Sequence, residues 1–80
     1  MKFVYTKHAE KKINERAIDK SIIEKALSNS DEIIKSPEGR LIAHKIVNRK
    51  LLRIIYVIKG NSYIIVTAYY TRPSRYVVKK

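Results

Sequence analysis

Apolar positions change period along this chain, and the changes divide it into elements. Lys2, Phe3, Val4 and Tyr5 form a short, largely apolar opening that reads as a strand, followed by Thr6, whose hydroxyl can cap a helix. From Lys7 to about Arg16, Ala9, Ile13 and Ala17 recur at spacings of four while Lys11, Lys12, Asn14 and Glu15 point elsewhere. That narrow stripe predicts a helix covering a core without being buried in it. Asp19 reads as a second cap, and Ile22, Ile23, Ala26 and Leu27 predict a second helix ending near Ser28 to Ser30. The two helices form a hairpin.

From Glu32 onward the pattern becomes that of strands. Ile33 and Ile34 open a short strand, Ser36, Pro37, Glu38 and Gly39 supply a turn, and Leu41 to Asn48 is the next strand. Asn48, Arg49 and Lys50 make a tight connection to Leu51 to Lys59, and Gly60 and Asn61 turn the chain into Tyr63 to Thr71. Pro73 and Ser74 break the series, leaving Tyr76 to Val78 as an edge strand or tail. The order of strand, helical hairpin and three- to four-stranded antiparallel sheet predicts an α+β fold in one domain over residues 1–80. One sheet face carries the helices and the other is open. The runs Ile54 to Ile58 and Ile64 to Val66 are apolar on both faces, which places their strands centrally.

Strand parity then sorts the polar exceptions. Arg53 alternates with Leu52 and Ile54 and shares a face with Ile55, Val57 and Lys59, so it is expected on the open face. In the last long strand Tyr63, Ile65, Thr67, Tyr69 and Thr71 share a parity and are expected on that face too, opposite Ile64, Val66, Ala68, Tyr70 and Arg72.

Charge is as unevenly distributed as hydrophobicity. Residues 1–40 hold nine basic and seven acidic side chains, whereas residues 41–80 hold nine basic and no acidic ones. The net charge of +11 therefore describes one half of the chain. Such a field favours polyanions, nucleic acid or an acidic protein, through phosphate or carboxylate contacts. Without cysteine there is no disulfide framework and no thiolate metal site, and His8 and His44 lack sequence-adjacent ligand partners, so metal chemistry and cofactors are not expected. No run of about 18 apolar residues marks a membrane span and no signal segment opens the chain, which makes the cytoplasm the expected compartment. Function is expected on a surface or shallow groove, since a domain of this length builds a modest core.

Within the basic half, Arg53 beside Tyr69 and Thr71 offers a guanidinium and a stacking surface suited to an extruded base and its phosphate. Arg72, Arg75 and Tyr76 put two further guanidiniums and an aromatic where the last strand ends. His44 can serve as general acid or base in phosphodiester cleavage, although a lone strand histidine is more often structural. Lys45, Arg49, Lys50, Lys59 and Arg72 are the expected backbone-binding cations. With only Gly39 and Gly60 there is no phosphate-cradling glycine loop, and no carboxylate pair lies in the basic half, which disfavours nucleotide hydrolysis. RNA cleavage needs neither, because the substrate's own 2′-hydroxyl attacks while cations stabilise the phosphorane and Tyr or His moves protons.

The stretch Thr6-Lys7-His8-Ala9-Glu10, with Asn14-Glu15-Arg16-Ala17-Ile18 and the helix Ser21 to Leu27, resembles the opening of a family of small uncharacterised proteins allied to the RelE/ParE toxins. Gly39-Arg40, Leu51-Leu52-Arg53-Ile54-Ile55-Tyr56 and Ile64-Ile65-Val66-Thr67-Ala68-Tyr69 resemble that family's turn, central strand and final strand. The resemblance implies the same fold and a toxin of a toxin–antitoxin pair, with an acidic or amphipathic antitoxin lying over sheet and helices. RelE-like members cut messenger RNA, typically in the ribosome, and ParE-like members poison DNA gyrase. Only Arg53 and the Arg75 to Tyr76 end match the catalytic assortment of RelE-like toxins in type and approximate position. An mRNA endoribonuclease is the leading expectation, with a gyrase inhibitor and a nonenzymatic nucleic-acid-binding module as alternatives.

Overall fold

The computed structural model describes residues 1–75 and shows two helices on one face of a five-stranded mixed sheet. The elements are β1 (Lys2–Tyr5), α1 (Lys7–Glu15), α2 (Lys20–Ser28), β2 (Glu32–Lys35), β3 (Leu41–Val47), β4 (Lys50–Lys59) and β5 (Ser62–Thr71), followed by a 3₁₀ turn at Pro73–Arg75. The α+β class and the order of elements agree with the sequence reading. The strand count does not, because β1 joins the sheet parallel to β5 instead of standing apart, giving the order β1-β5-β4-β3-β2. The expected strand at Tyr76 to Val78 lies outside the described residues.

Thr6 caps α1 as its position implies: its Oγ1 accepts from the Ala9 N–H at 3.0 Å. The helix does not carry its apolar stripe through Ala17. That residue turns left-handed (φ 54) after the C-cap Arg16, the Ala17 N–H donates to the Asn14 carbonyl at 3.1 Å, and the Ile18 N–H donates to the Ile13 carbonyl at 2.9 Å. This pair of bonds is a Schellman ending, closed by burial of both Ile13 and Ile18. Asp19 holds the N-cap position of α2 but makes no side-chain cap bond.

Ala9, Ile13, Ile18, Ile23, Ala26 and Leu27 pack from the helical layer onto Ala43, Leu52, Ile54, Tyr56, Ile65 and Ala68 of the sheet. Tyr5 fastens β1 to α2 by donating to Glu24 Oε2 at 2.9 Å. Burial, the neighbouring carboxylate and that bond all raise the Tyr5 phenol far above its ordinary range. Two-residue turns join the long strands. Asn48 and Arg49 both have positive φ (50 and 68), a type I′ turn, and Gly60 (φ 59) takes the first central position of the β4–β5 hairpin, where a side chain would be strained.

One irregularity overturns part of the parity argument. Ile55 pairs with Thr67 and Tyr56 with Ile65, so Val66 is the extra residue of a β-bulge. Below it Tyr63 and Ile65 swing to the helical face, where Ile65 is fully buried, while Thr67, Tyr69 and Thr71 keep the open face. The expectation that Tyr63 and Ile65 face outward fails for that reason alone.

Candidate nucleic-acid interface

Strand register builds the site. Glu32 of β2 pairs with His44 of β3, His44 with Arg53 of β4, and Arg53 with Tyr69 of β5. Directly paired residues share a face, so these four form one line across the side turned away from the helices, roughly 14 Å long at the usual strand separation, and on that side both His44 and Leu51 are fully buried. The neighbouring lines are nearly apolar: Ile34, Ile42, Ile55 and Thr67 on one side, Ile46, Leu51 and Thr71 on the other. A polar track thus crosses an otherwise hydrophobic sheet.

Arg16 completes the track from the helical layer. Because β1 ends at Tyr5, the carbonyls of β5 beyond Ile65 have no strand partner on that edge. Thr6 Oγ1 donates to the Val66 carbonyl at 3.4 Å, and Arg16 Nη1 donates to the Ala68 carbonyl at 2.9 Å and to Thr67 Oγ1 at 3.4 Å. The Schellman ending of α1 is what aims Arg16 at this edge. Its Cζ stands 5.7 Å from the centroid of the Tyr69 ring, and the Cζ of Arg53 stands 5.7 Å from the same centroid. Two guanidiniums bordering one phenol ring make a cationic, stackable surface.

His44 is fully buried, and its Nδ1 lies 3.3 Å from Glu32 Oε1. Burial lowers its pKa and the Arg53 charge pushes the same way, while the bond and charge of Glu32 oppose both. The ring is accordingly neutral at pH 7. In that state Nδ1–H donates to the carboxylate and Nε2 is the basic nitrogen, an assignment that follows from the bond to Glu32. A buried His44 orients and tunes its neighbours; in this conformation it does not present itself to solvent.

The other expected site residues separate into three places. Lys45 points to the helical face, paired with Leu52 across the sheet and 3.5 Å from Asp31 Oδ1, so it does not share the Arg53 surface. Arg49, Lys50 and Arg72 meet Tyr70, Thr71 and Pro73 around a cleft of about 580 Å³ at the end of the sheet. Lys59 sits beside Ser62 at the opposite end of β4, away from those cations. The Arg75 side chain and Tyr76 lie outside the described residues. Among the described residues no three His, Asp or Glu side chains converge as metal ligands would, and no helix is long and apolar enough to cross a membrane.

Arg16 and Glu32 escape a reading based on charge by sequence half, since both precede Glu38. Pairing of β2 with β3 also brings Asp31 and Glu32 against the acid-free half, so the partition along the chain is not a partition in space. Alternation within Glu32 to Lys35 and within Leu41 to Val47 could have put Glu32 beside His44 once the turn at Ser36 to Gly39 fixed their register. No spacing in the sequence points to Arg16.

Fold and surface together define a small basic α+β domain with a polar track on its open sheet. The chain belongs to the DUF4258 family, a domain of unknown function matched over residues 5–70, which contain the whole Arg16, Glu32, His44, Arg53 and Tyr69 track. No curated protein and no solved structure matches it. The matched family has no stated activity, and comparison with known proteins supplies no link to the RelE or ParE toxins.

Proposed function

We propose that this chain is a toxin-like, metal-independent RNA endoribonuclease that docks its substrate on the open sheet face. The observation that carries the reading is the Tyr69 ring bordered by Arg16 and Arg53, at the end of a track whose other members are His44 and Glu32. The RelE-like resemblance of the Leu51 to Tyr56 and Ile64 to Tyr69 segments supports it, as does the basic second half of the chain. In this reading an RNA base stacks on Tyr69 and the neighbouring phosphate meets Arg53. The 2′-hydroxyl gives its proton to solvent water as its oxygen bonds to phosphorus, the bond from phosphorus to the 5′-oxygen breaks, and that oxygen takes a proton from water, leaving a 2′,3′-cyclic phosphate and a 5′-hydroxyl. Arg53 stabilises the negative charge of the phosphorane, and Arg16 holds Tyr69 in place. His44, braced by Glu32, fixes the electrostatic setting of Arg53. An acidic antitoxin covering this face would switch the activity off.

A second reading has its own support. The burial of His44 withdraws the group of the track whose ordinary pKa lies nearest neutrality, which favours a domain that binds RNA without cutting it.

Induced expression in a bacterial host, with transcript ends mapped before and after induction, separates the readings. New ends that disappear with Arg53→Ala are expected, with cleavage lowered roughly a hundred- to a thousandfold, the scale of losing one charge-stabilising donor. Arrest with intact transcripts would move the assignment to gyrase, and absence of arrest to the binding module.

A further inference from the structure

We propose that the cleft at the end of the sheet is a phosphate site, which holds the backbone of the same strand of nucleic acid that crosses the Arg53 face; this rests on the function argued above. Arg49, Lys50 and Arg72 line it together with Tyr70, Thr71 and Pro73, and among the described residues no carboxylate does. Register explains the convergence. Leu51 pairs with Thr71, so Lys50 and Arg72 come next to each other one step further along β4 and β5, with the β3–β4 turn carrying Arg49 beside them. Three cations are thus held together with no acid among the described lining residues, in a concavity of about 580 Å³ that also carries a tyrosine and a threonine.

The turn supplies an independent indication. Arg49 is the second central residue of a type I′ turn, at φ 68, a position that favours glycine. Asn48, at φ 50, is a residue that tolerates the left-handed region. Arginine in that region is strained, and strain at a non-glycine position points to a side chain retained for what it contacts. Here the guanidinium belongs to the lining of the cationic cleft.

The cleft is also connected to the polar track. Thr71 lines it and shares a face with Tyr69, two residues away and so about 7 Å along the strand, while Lys50, Tyr70 and Arg72 take the opposite parity, so the cleft wraps the end of the sheet from one face to the other. A strand with one base on Tyr69 can therefore lay a flanking phosphate into the cleft without crossing an acidic surface. Recognition there is of phosphate and not of base, which makes the site indifferent to sequence.

Binding of a single-stranded 2′-deoxy oligonucleotide at several salt concentrations tests the site, because such a strand lacks the attacking hydroxyl and is read without turnover. Arg49→Gly is expected to weaken binding roughly tenfold and to shrink the log–log salt slope by about 0.7, one phosphate contact to a single strand. The same variant should raise the unfolding midpoint by about 4 °C through relief of the left-handed strain, which certifies its fold. Arg72→Ala should weaken binding similarly. Unchanged slopes in both variants would overturn the assignment, as would poly-glutamate competing as strongly as the oligonucleotide, which would make the cleft a site for an acidic protein. A protein that cuts no RNA yet loses slope in Arg49→Gly keeps the phosphate site and loses the enzyme reading; one that cuts RNA with slopes unchanged keeps the enzyme and loses the site.

Discussion

Tyr69 presents its ring to two guanidiniums, and a stacking role makes a prediction that a hydroxyl role does not. Tyr69→Phe should keep oligonucleotide affinity within about twofold, whereas Tyr69→Ala should cost about 1–3 kcal/mol of binding, measured by fluorescence anisotropy. His44 makes a prediction in pH. Above the ordinary histidine range the ring is neutral in both folded and unfolded chains and contributes no slope. As pH falls through about 6.5 the unfolded chain takes up a proton that the buried ring resists, so stability declines by at most about 1.4 kcal/mol per pH unit until the lowered folded pKa is reached. The charged groups implicated at the ring are Glu32, which attracts the proton, and Arg53, which repels it. Chemical denaturation between pH 7.5 and about 5.5 should show this limb in the wild type and a flatter one in His44→Gln. Of these residues Arg53 was readable from alternation because β4 runs regularly on either side of it. Arg16 was not, since its place depends on where another strand stops.

Two helix starts that look equivalent in sequence differ in the structure. Thr6 Oγ1 accepts from the Ala9 N–H, and Thr6→Ala should cost about 1 kcal/mol in urea denaturation. Asp19 makes no such bond, and Asp19→Ala should cost clearly less. The sequence marks both as caps because it records residue type and position and not the rotamer that completes the bond. At the scale of elements, strands and turns were legible from Gly60, from Asn48 with Arg49, and from the Ser36 to Gly39 turn. The bulge at Val66 was not, because an apolar run such as Ile64-Ile65-Val66 accepts either parity and only the partner strand decides which side chains turn inward. The order of elements in a half-apolar chain was thus readable, while one slipped residue was enough to exchange Tyr63 and Ile65 between faces.

In the molecule as a whole, pairing of β2 with β3 sets the acids of Asp31 and Glu32 against the basic half, so charge counted per half of the sequence does not describe charge in space. The α+β class was legible because helix and strand periods separate cleanly at Glu32. The first strand was legible as a strand, but its place in the sheet was not: β1 pairs in parallel with β5, Lys2 with Ser62 through Tyr5 with Ile65. That pairing spans nearly the whole described chain, and the Arg16 bond to the Ala68 carbonyl spans almost as much. A fragment ending at Gly60 should therefore show no cooperative unfolding transition, since it lacks the inner strand that both β1 and α1 lie against. Contacts so distant along the chain form late and slowly. During synthesis, the first strand and first helix emerge well before the strand that receives them, and the Arg16, Tyr69 and Arg53 surface cannot exist until Tyr69 has left the ribosome. On the proposed reading, the surface that would act on RNA is withheld by topology until the strand that carries Tyr69 has been made.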